Sequence, residues 1–346
     1  MPKKPRVLTQ RELNRALLAR QLLLERVELP LPRALERMGG LQAQYAPSMY
    51  IGLWSRMEGF ERAALTRALE RRTVVQATLQ RSTIHLVSRR DYWPFALAVR
   101  EARRASWLRN HRDQDEAELA AAARLVRERL ETDGPLRRAD IEKLVGKGRG
   151  FAVGLWIDLI RLPPSGTWER RRADLFAAAE DWLGPAAITP EDALVHVVGR
   201  YLSGFGPATR AEIASWAGIP VTAVDPALTR LKLRRFSAED GDELLDLPGA
   251  PLPPADTAPP VRFLPTWDAT LLVHARRSGI LPEHLRPRVF NTRTPHSVAT
   301  FVVDGAVAGA WRHEQGRIEL EPFEALPRGA ERELRGEAER LAAFHA

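Results

Sequence analysis

DGPLRRADIEKLVG, Asp133 to Gly146, and FGPATRAEIASWAG, Phe205 to Gly218, are two versions of one pattern. Both carry Gly-Pro, an arginine, an alanine, an acidic residue followed by isoleucine, and a closing glycine. Gly-Pro turns the chain and starts a helix; Ile141 and Ile213 then point into a core; Gly146 and Gly218 end the helix in a tight turn. That is the first half of a helix-turn-helix, and matching flanks on both sides make it one structural unit used twice. After the first copy, Gly150 to Leu159 is expected to form the second helix, with Leu159–Leu162 and Ala173–Phe176 as hairpin strands around a tip at 163–172. After the second copy, Pro220 to Leu231 is expected to be helical, and Leu233–Phe236 and Glu243–Leu247 to form a hairpin with an acidic turn. Helix, helix and hairpin make a winged helix.

The N-terminal stretch follows the same plan. Thr9 with Glu12 three residues on is a capping box, and Leu13, Leu17, Leu18, Leu22 and Leu24 give helical periodicity as far as Pro30. A short helix over Pro32–Met38 stops at Gly39-Gly40. An extended connector, Leu41 to Ala46, leads to a helix with Pro47 in its first turn and to another over Glu61–Glu70. Residues 73–79 and 83–87 read as a hairpin. Helices near Asp91–Asn110 and Asp115–Glu131 open the middle segment. The Pro-rich stretch APLPPADTAPP, Ala250 to Pro260, is a stiff linker. Beyond it lie strands at 261–264, 299–303, 306–311 and 317–321, a tight Asp304-Gly305 turn, and a helix over Glu331–His345. The expected fold is α+β: three tandem winged-helix units over 1–90, 91–185 and 186–250, then a β-rich C-terminal region over 251–346.

Composition narrows the function. The 346 residues contain no cysteine, which excludes disulfides, thiolate zinc sites and a cysteine nucleophile. The net charge of +8 is carried mainly by arginine, in pairs at 71–72, 89–90, 103–104, 137–138 and 276–277 and in the triplet Arg170, Arg171, Arg172. With a pI near 10.3, this is the electrostatic footprint of a nucleic-acid binder. No apolar run is long enough for a membrane span, and the basic N-terminus lacks a signal-peptide core, so the mature chain is expected to begin at or near Met1 and to work in the cytoplasm.

Gln42-Ala43-Gln44 lies in the extended connector, where residues two apart share a face. Two neutral amides therefore project together from a junction between helices. From the residues alone, they could line a site or cap neighbouring backbone. His85, in the first hairpin, reads as a DNA contact or a locally bonded strand histidine. Arg170, Arg171, Arg172, Arg276 and Arg277 are candidate DNA contacts. Asp268 could be catalytic or could cap the segment that follows it. His274, His284 and His296 lack the spacing of a helical metal pair, and neither metal nor cofactor is expected.

Four segments taken together, GGLQAQYAPSMYIGLWSR, RSTIHLVSRRDYW, TWDATLLVHARRSGIL and TFVVDGAVAGAWR, resemble in order the winged-helix DNA glycosylase superfamily. That superfamily includes AlkZ-type azinomycin-resistance glycosylases and YcaQ-type crosslink glycosylases. The glutamine at position 44 is similar to the QxQ motif of the AlkZ-type branch, where the YcaQ type carries QxD. The resemblance implies three winged-helix units in a C-shaped arrangement around a basic DNA channel, and hydrolysis of N7-alkylated purines, bulky adducts or crosslinks among them, from double-stranded DNA by a monomer. It implies Gln42 and Gln44 as the catalytic pair. Glutamine is neither a strong acid nor a strong base, but a cationic N7-alkylpurine leaves without protonation, so orienting a water suffices. The rival reading is a winged-helix transcription regulator, which needs the wings and the charge but no amide pair.

Overall fold

The computed structural model describes residues 5–272, 274, 279–291 and 296–346. The chain is a mixed α+β structure, and the capping box at Thr9 and Glu12 starts its first long helix, Gln10–Arg20. Helices Leu31–Met38, Ala46–Trp54 and Arg62–Glu70 follow, then the hairpin Val74–Thr78 and Ile84–Ser88. The middle segment has helices Arg89–Asn110, Glu116–Asp133, Arg138–Val145 and Arg149–Val153, and strands Leu136–Arg137, Leu159–Arg161 and Leu175–Ala178. Next come helices Pro190–Phe205 and Arg210–Ala217 and the hairpin Arg234–Ala238 and Glu243–Asp246. Among the described residues no helix is long and apolar enough to cross a membrane.

Both copies of the sequence pattern form the helix they encode, and both closing glycines take positive φ, 95° at Gly146 and 75° at Gly218. Their starts differ. Thr209 and Glu212 cap the second copy reciprocally, whereas Arg137 offers no side-chain cap and the Arg138 N–H bonds Asp174 O instead. The partner helices are shorter than the pattern predicts. The one expected over Gly150–Leu159 ends at Val153, because Leu159–Arg161 is drawn into a sheet beside Val74–Thr78. The one expected over Pro220–Leu231 splits into a 3-10 turn, Val221–Val224, and a helical turn, Asp225–Thr229. Pro226 has no N–H to continue the ladder.

Strand pairing ties distant segments together. The first hairpin and the strands of the middle segment make one six-stranded sheet, ordered Leu41–Gln42, Ile84–Ser88, Val74–Thr78, Leu159–Arg161, Leu175–Ala178, Leu136–Arg137. Val7–Leu8 runs parallel to Arg234–Ala238, which fastens the N-terminus to the third hairpin. The C-terminal strands Arg262–Leu264, Thr300–Val303, Ala306–Glu314 and Arg317–Pro322 form a four-stranded sheet. Asp304 and Gly305 both take positive φ, 46° and 79°, as a two-residue hairpin turn with right-handed flanking strands requires.

The apolar cores follow this pairing. One cluster gathers Leu17, Phe95, Tyr201, Trp216 and Val302; a second gathers Leu35, Tyr50, Phe263, Trp311 and Leu341. Residues Ala123 to Ala178 keep a smaller core of their own. Two buried ion pairs cross the same boundaries. Arg20 meets Asp246 at 2.6 Å with both side chains 0% exposed, and Arg56 meets Asp268 at 2.9 Å. Asp268 also accepts from the Thr270 N–H at 3.1 Å. Its place is thus a structural one, capping the Ala269–Leu271 turn and neutralising Arg56.

Candidate active site

The Gln42–Gln44 connector is fixed from both ends. Leu31–Met38 stops at Gly39, whose φ of 80° gives the left-handed cap. Gly40 then passes close to the sheet: a Cβ there would stand 3.0 Å from Leu86 O and from Val87, so no side chain fits. Leu41 and Gln42 pair with Leu86 and His85, and the Ala43 N–H donates to Ile84 O at 2.7 Å. Pro47, in the first turn of Ala46–Trp54, ends the extended run.

The two amides have defined orientations. Gln42 Oε1 accepts from Arg81 Nη2 at 3.2 Å, and Gln44 Oε1 accepts from the Ile84 N–H at 3.0 Å. A guanidinium and a backbone N–H are donors only, so in each glutamine the carbonyl oxygen must be the inner atom and the amide nitrogen the outer one. Gln42 is half-buried and Gln44 exposed. Each oxygen retains a second lone pair, and each nitrogen two donors. Each amide can therefore accept from a water and donate to an oxygen acceptor.

Arg81 is the residue that sequence reasoning missed. It sits in the turn Gln80–Ser82 with φ 51°, in the left-handed region. Its Nη1 donates to Trp216 O, at the end of helix Arg210–Ala217. Gly218 lets the two meet, since a Cβ there would stand 3.1 Å from Arg81 Cγ. Burial lowers the Arg81 guanidinium to about 10, and it stays charged at neutral pH. The signal available beforehand was a lone arginine at the bend of a hairpin whose next strand must face the connector.

His85 is placed beside Gln42 by strand register but is only 3% exposed. Its Nδ1 lies 3.0 Å from Thr83 O. Burial first, then repulsion from Arg81 and Arg103, holds its pKa down to about 3. It is therefore a neutral imidazole under working conditions. His274, 2% exposed, is pushed down in the same direction by burial and by Arg81. These depressed values set a pH dependence. Between about 3 and 6.5 the unfolded chain binds more protons at His85 than the folded one, so stability falls as pH falls below 6.5. At pH 5 the loss from His85 alone is about 2 kcal/mol, with His274 adding to it. Urea unfolding at pH 7 and pH 5 measures this, and His85→Asn should remove about 2 kcal/mol of the difference. An unchanged difference in that variant would refute the assignment.

The arginine triplet is exposed in the loop between Leu159–Arg161 and Leu175–Ala178. Arg171 Nη1 donates to Tyr45 Oη at 3.1 Å, which brings it next to Gln44. Arg172 pairs with Asp174 at 3.2 Å, and Arg170 projects from the same loop. Tyr45 and Arg171 edge a cavity of about 390 Å³ walled by Trp168, Trp311 and His345. Arg276 and Arg277 lie outside the described residues. Among the described residues no group of three or more His, Asp or Glu side chains is gathered as metal ligands.

Comparisons with known proteins bear on this geometry. A family model described as DNA glycosylase AlkZ-like matches residues 35–344. The fold is similar to that of the Streptomyces sahachiroi DNA glycosylase AlkZ, with a TM-score of 0.83 and 19% identity over 98% of each chain. No curated protein matches the sequence.

Proposed function

Because the chain belongs to the AlkZ-like DNA glycosylase family, we propose that it is a monofunctional, metal-independent glycosylase that removes N7-alkylated, cationic purines from double-stranded DNA, bulky adducts and crosslinks among them. The observation that carries this reading is the pair of amides at Gln42 and Gln44, whose carbonyl oxygens are held by Arg81 and by the Ile84 N–H.

In the proposed reaction, the outer Nε2 groups donate to deoxyribose or phosphate oxygens and fix the nucleotide. The C1′–N9 bond breaks with both electrons going to the purine, which leaves as a neutral base because its N7 already carried the positive charge. The sugar becomes oxocarbenium-like. A water held on the free lone pairs of the two Oε1 atoms attacks C1′ and releases its surplus proton to solvent. Positioning supplies the rate, and no strong base is needed. His85, with its pKa near 3, has no part as an acid or as a phosphate-binding cation at neutral pH.

The same reading extends to the architecture. The units over 1–90, 91–185 and 186–250 are winged-helix units arranged as a C around the duplex, with the β-rich region 251–346 closing one side, and the enzyme works in the cytoplasm as a monomer. Arg170, Arg171 and Arg172 then face the DNA beside the site, and Arg276 and Arg277 extend the basic surface.

Incubation with duplexes containing N7-methylguanine or uracil, followed by chromatography of released base, tests the chemistry. Release of 7-methylguanine with no release of uracil is expected, because uracil is a neutral, poor leaving group. Efficient uracil excision would overturn the mechanism. No release from methylated or bulkier N7 adducts, together with tight binding to one undamaged sequence, would favour a transcription regulator.

A further inference from the structure

Of the six buried arginines among the described residues, three face a carboxylate, Arg15 with Asp304, Arg20 with Asp246 and Arg56 with Asp268, and three do not, Arg103, Arg161 and Arg262. Arg161, 5% exposed, differs from Arg103 and Arg262 in lining a cavity beside a second arginine. Its Nη2 donates to Thr78 Oγ1 at 3.0 Å, and its Nε has no partner. Arg138, the half-buried first residue of helix Arg138–Val145, lies alongside. The two guanidinium carbons stand 5.1 Å and 5.3 Å from the ring centroid of Phe176. Both side chains line a small cavity of about 30 Å³ with Thr78, Phe151 and Phe176.

Two cations against one aromatic ring are only partly compensated. Burial, then repulsion from Arg138 and Arg103, holds the Arg161 guanidinium down to about 9. Glu142 approaches the wall at Gly150, with Oε1 3.8 Å from where a Cβ there would stand, but makes no ion pair with either arginine among the described residues. The cavity has room for about one oxygen-sized group. A non-bridging phosphate oxygen fits in size, in charge and in its match to guanidinium donors. The position is also telling. Thr78 pairs with Ile84 in the sheet, and the Ile84 N–H is the anchor of Gln44. Adjacent strands lie about 4.8 Å apart, so Thr78, in the cavity wall, is one strand away from the residue that anchors Gln44.

We propose that Arg138, Arg161 and Thr78 form a seat for one phosphate of the DNA backbone, close to the nucleotide that faces Gln44. The seat rests on DNA as the partner and not on the chemistry assigned to the glutamines, so base release and phosphate seating can fail separately. The test uses Arg138→Gln and Arg161→Met in the full chain. Duplex affinity is measured across salt concentrations, and thermal stability of the DNA-free protein is measured with and without inorganic phosphate. Each variant is expected to weaken duplex binding roughly 10-fold at low salt and to reduce the salt-dependence slope by about 0.9, the value for one lost phosphate contact. Phosphate should raise the melting temperature of the wild type and not of the variants. If Arg161→Met fails to fold, Arg138→Gln decides alone. An unchanged slope in the folded variants overturns the proposal, and phosphate stabilisation of the wild type with that unchanged slope assigns the site to free anions instead.

Discussion

Replacing Gln42 or Gln44 with alanine is expected to slow single-turnover release of 7-methylguanine by about 10²–10³-fold, the loss typical of removing one fixed polar group at a reacting centre. Affinity for undamaged duplex should stay within about threefold, because neither amide carries charge and counterion release dominates binding. The double variant should be little worse than either single one, since two groups holding one water fail together. Arg81→Met offers an intermediate case: Gln42 remains but loses the donor that fixes its amide. Quenched-flow or manual time courses with chromatography of the free base give the rates. Wild-type rates in both alanine variants would dismiss the amide pair as the catalytic centre, and the Gln44 contact to Ile84 would then be backbone capping alone.

The largest effect on stability is expected at Asp246. Its carboxylate takes Arg20 in a two-pronged contact at 2.6 Å and 3.0 Å, and Arg234 at 2.6 Å. Arg20 also donates to Leu202 O and Pro251 O, so one side chain joins the first helix, the Pro190–Phe205 helix and the linker. Asp246→Ala leaves a fully buried guanidinium without its anion, at a cost of about 3–5 kcal/mol. In a chain of this size that is a fall of roughly 6–10 °C in melting temperature. Arg20→Met combined with Asp246→Leu should recover most of it, because an apolar pair of similar volume removes the buried charge altogether. Calorimetry of the wild type and the two variants decides the matter: a double variant as unstable as Asp246→Ala would show that geometry rather than charge holds this junction.

What could be read in the sequence was whatever local chemistry encodes. The Thr9–Glu12 capping box, the stop at Gly39 and the Asp304-Gly305 turn stand where the residues place them. The connector and its two glutamines were legible too, because Gly-Gly and proline bracket it. Contacts between residues far apart in sequence were not. Arg81 reaches Gln42 over 39 positions and Trp216 over 135, and Arg171 reaches Tyr45 over 126. No periodicity announces such pairings. The helix expected over Gly150–Leu159 ends early, at Val153, for a related reason: its apolar residues satisfy a helix, but Leu159–Arg161 pairs with the distant strand Val74–Thr78 instead. Asp268 drew attention as a carboxylate, and only its distant partner Arg56 reveals it as structural.

The shared six-stranded sheet constrains how this protein can be dissected. Gln76 and Ala77 pair with Arg161 and Ile160, so the strand Val74–Thr78 is interior only while the middle segment is present. A fragment cut near residue 90 would bare the edge of that strand at Gln76 and Ala77, and its side chains Val74, Val75 and Ala77 are apolar and buried in the intact chain. Bare strands of that kind seek another copy of themselves. The first ninety residues hold the glutamines, yet they are not a portable module: the sheet makes the glutamine-bearing segment and its neighbour a single structural unit.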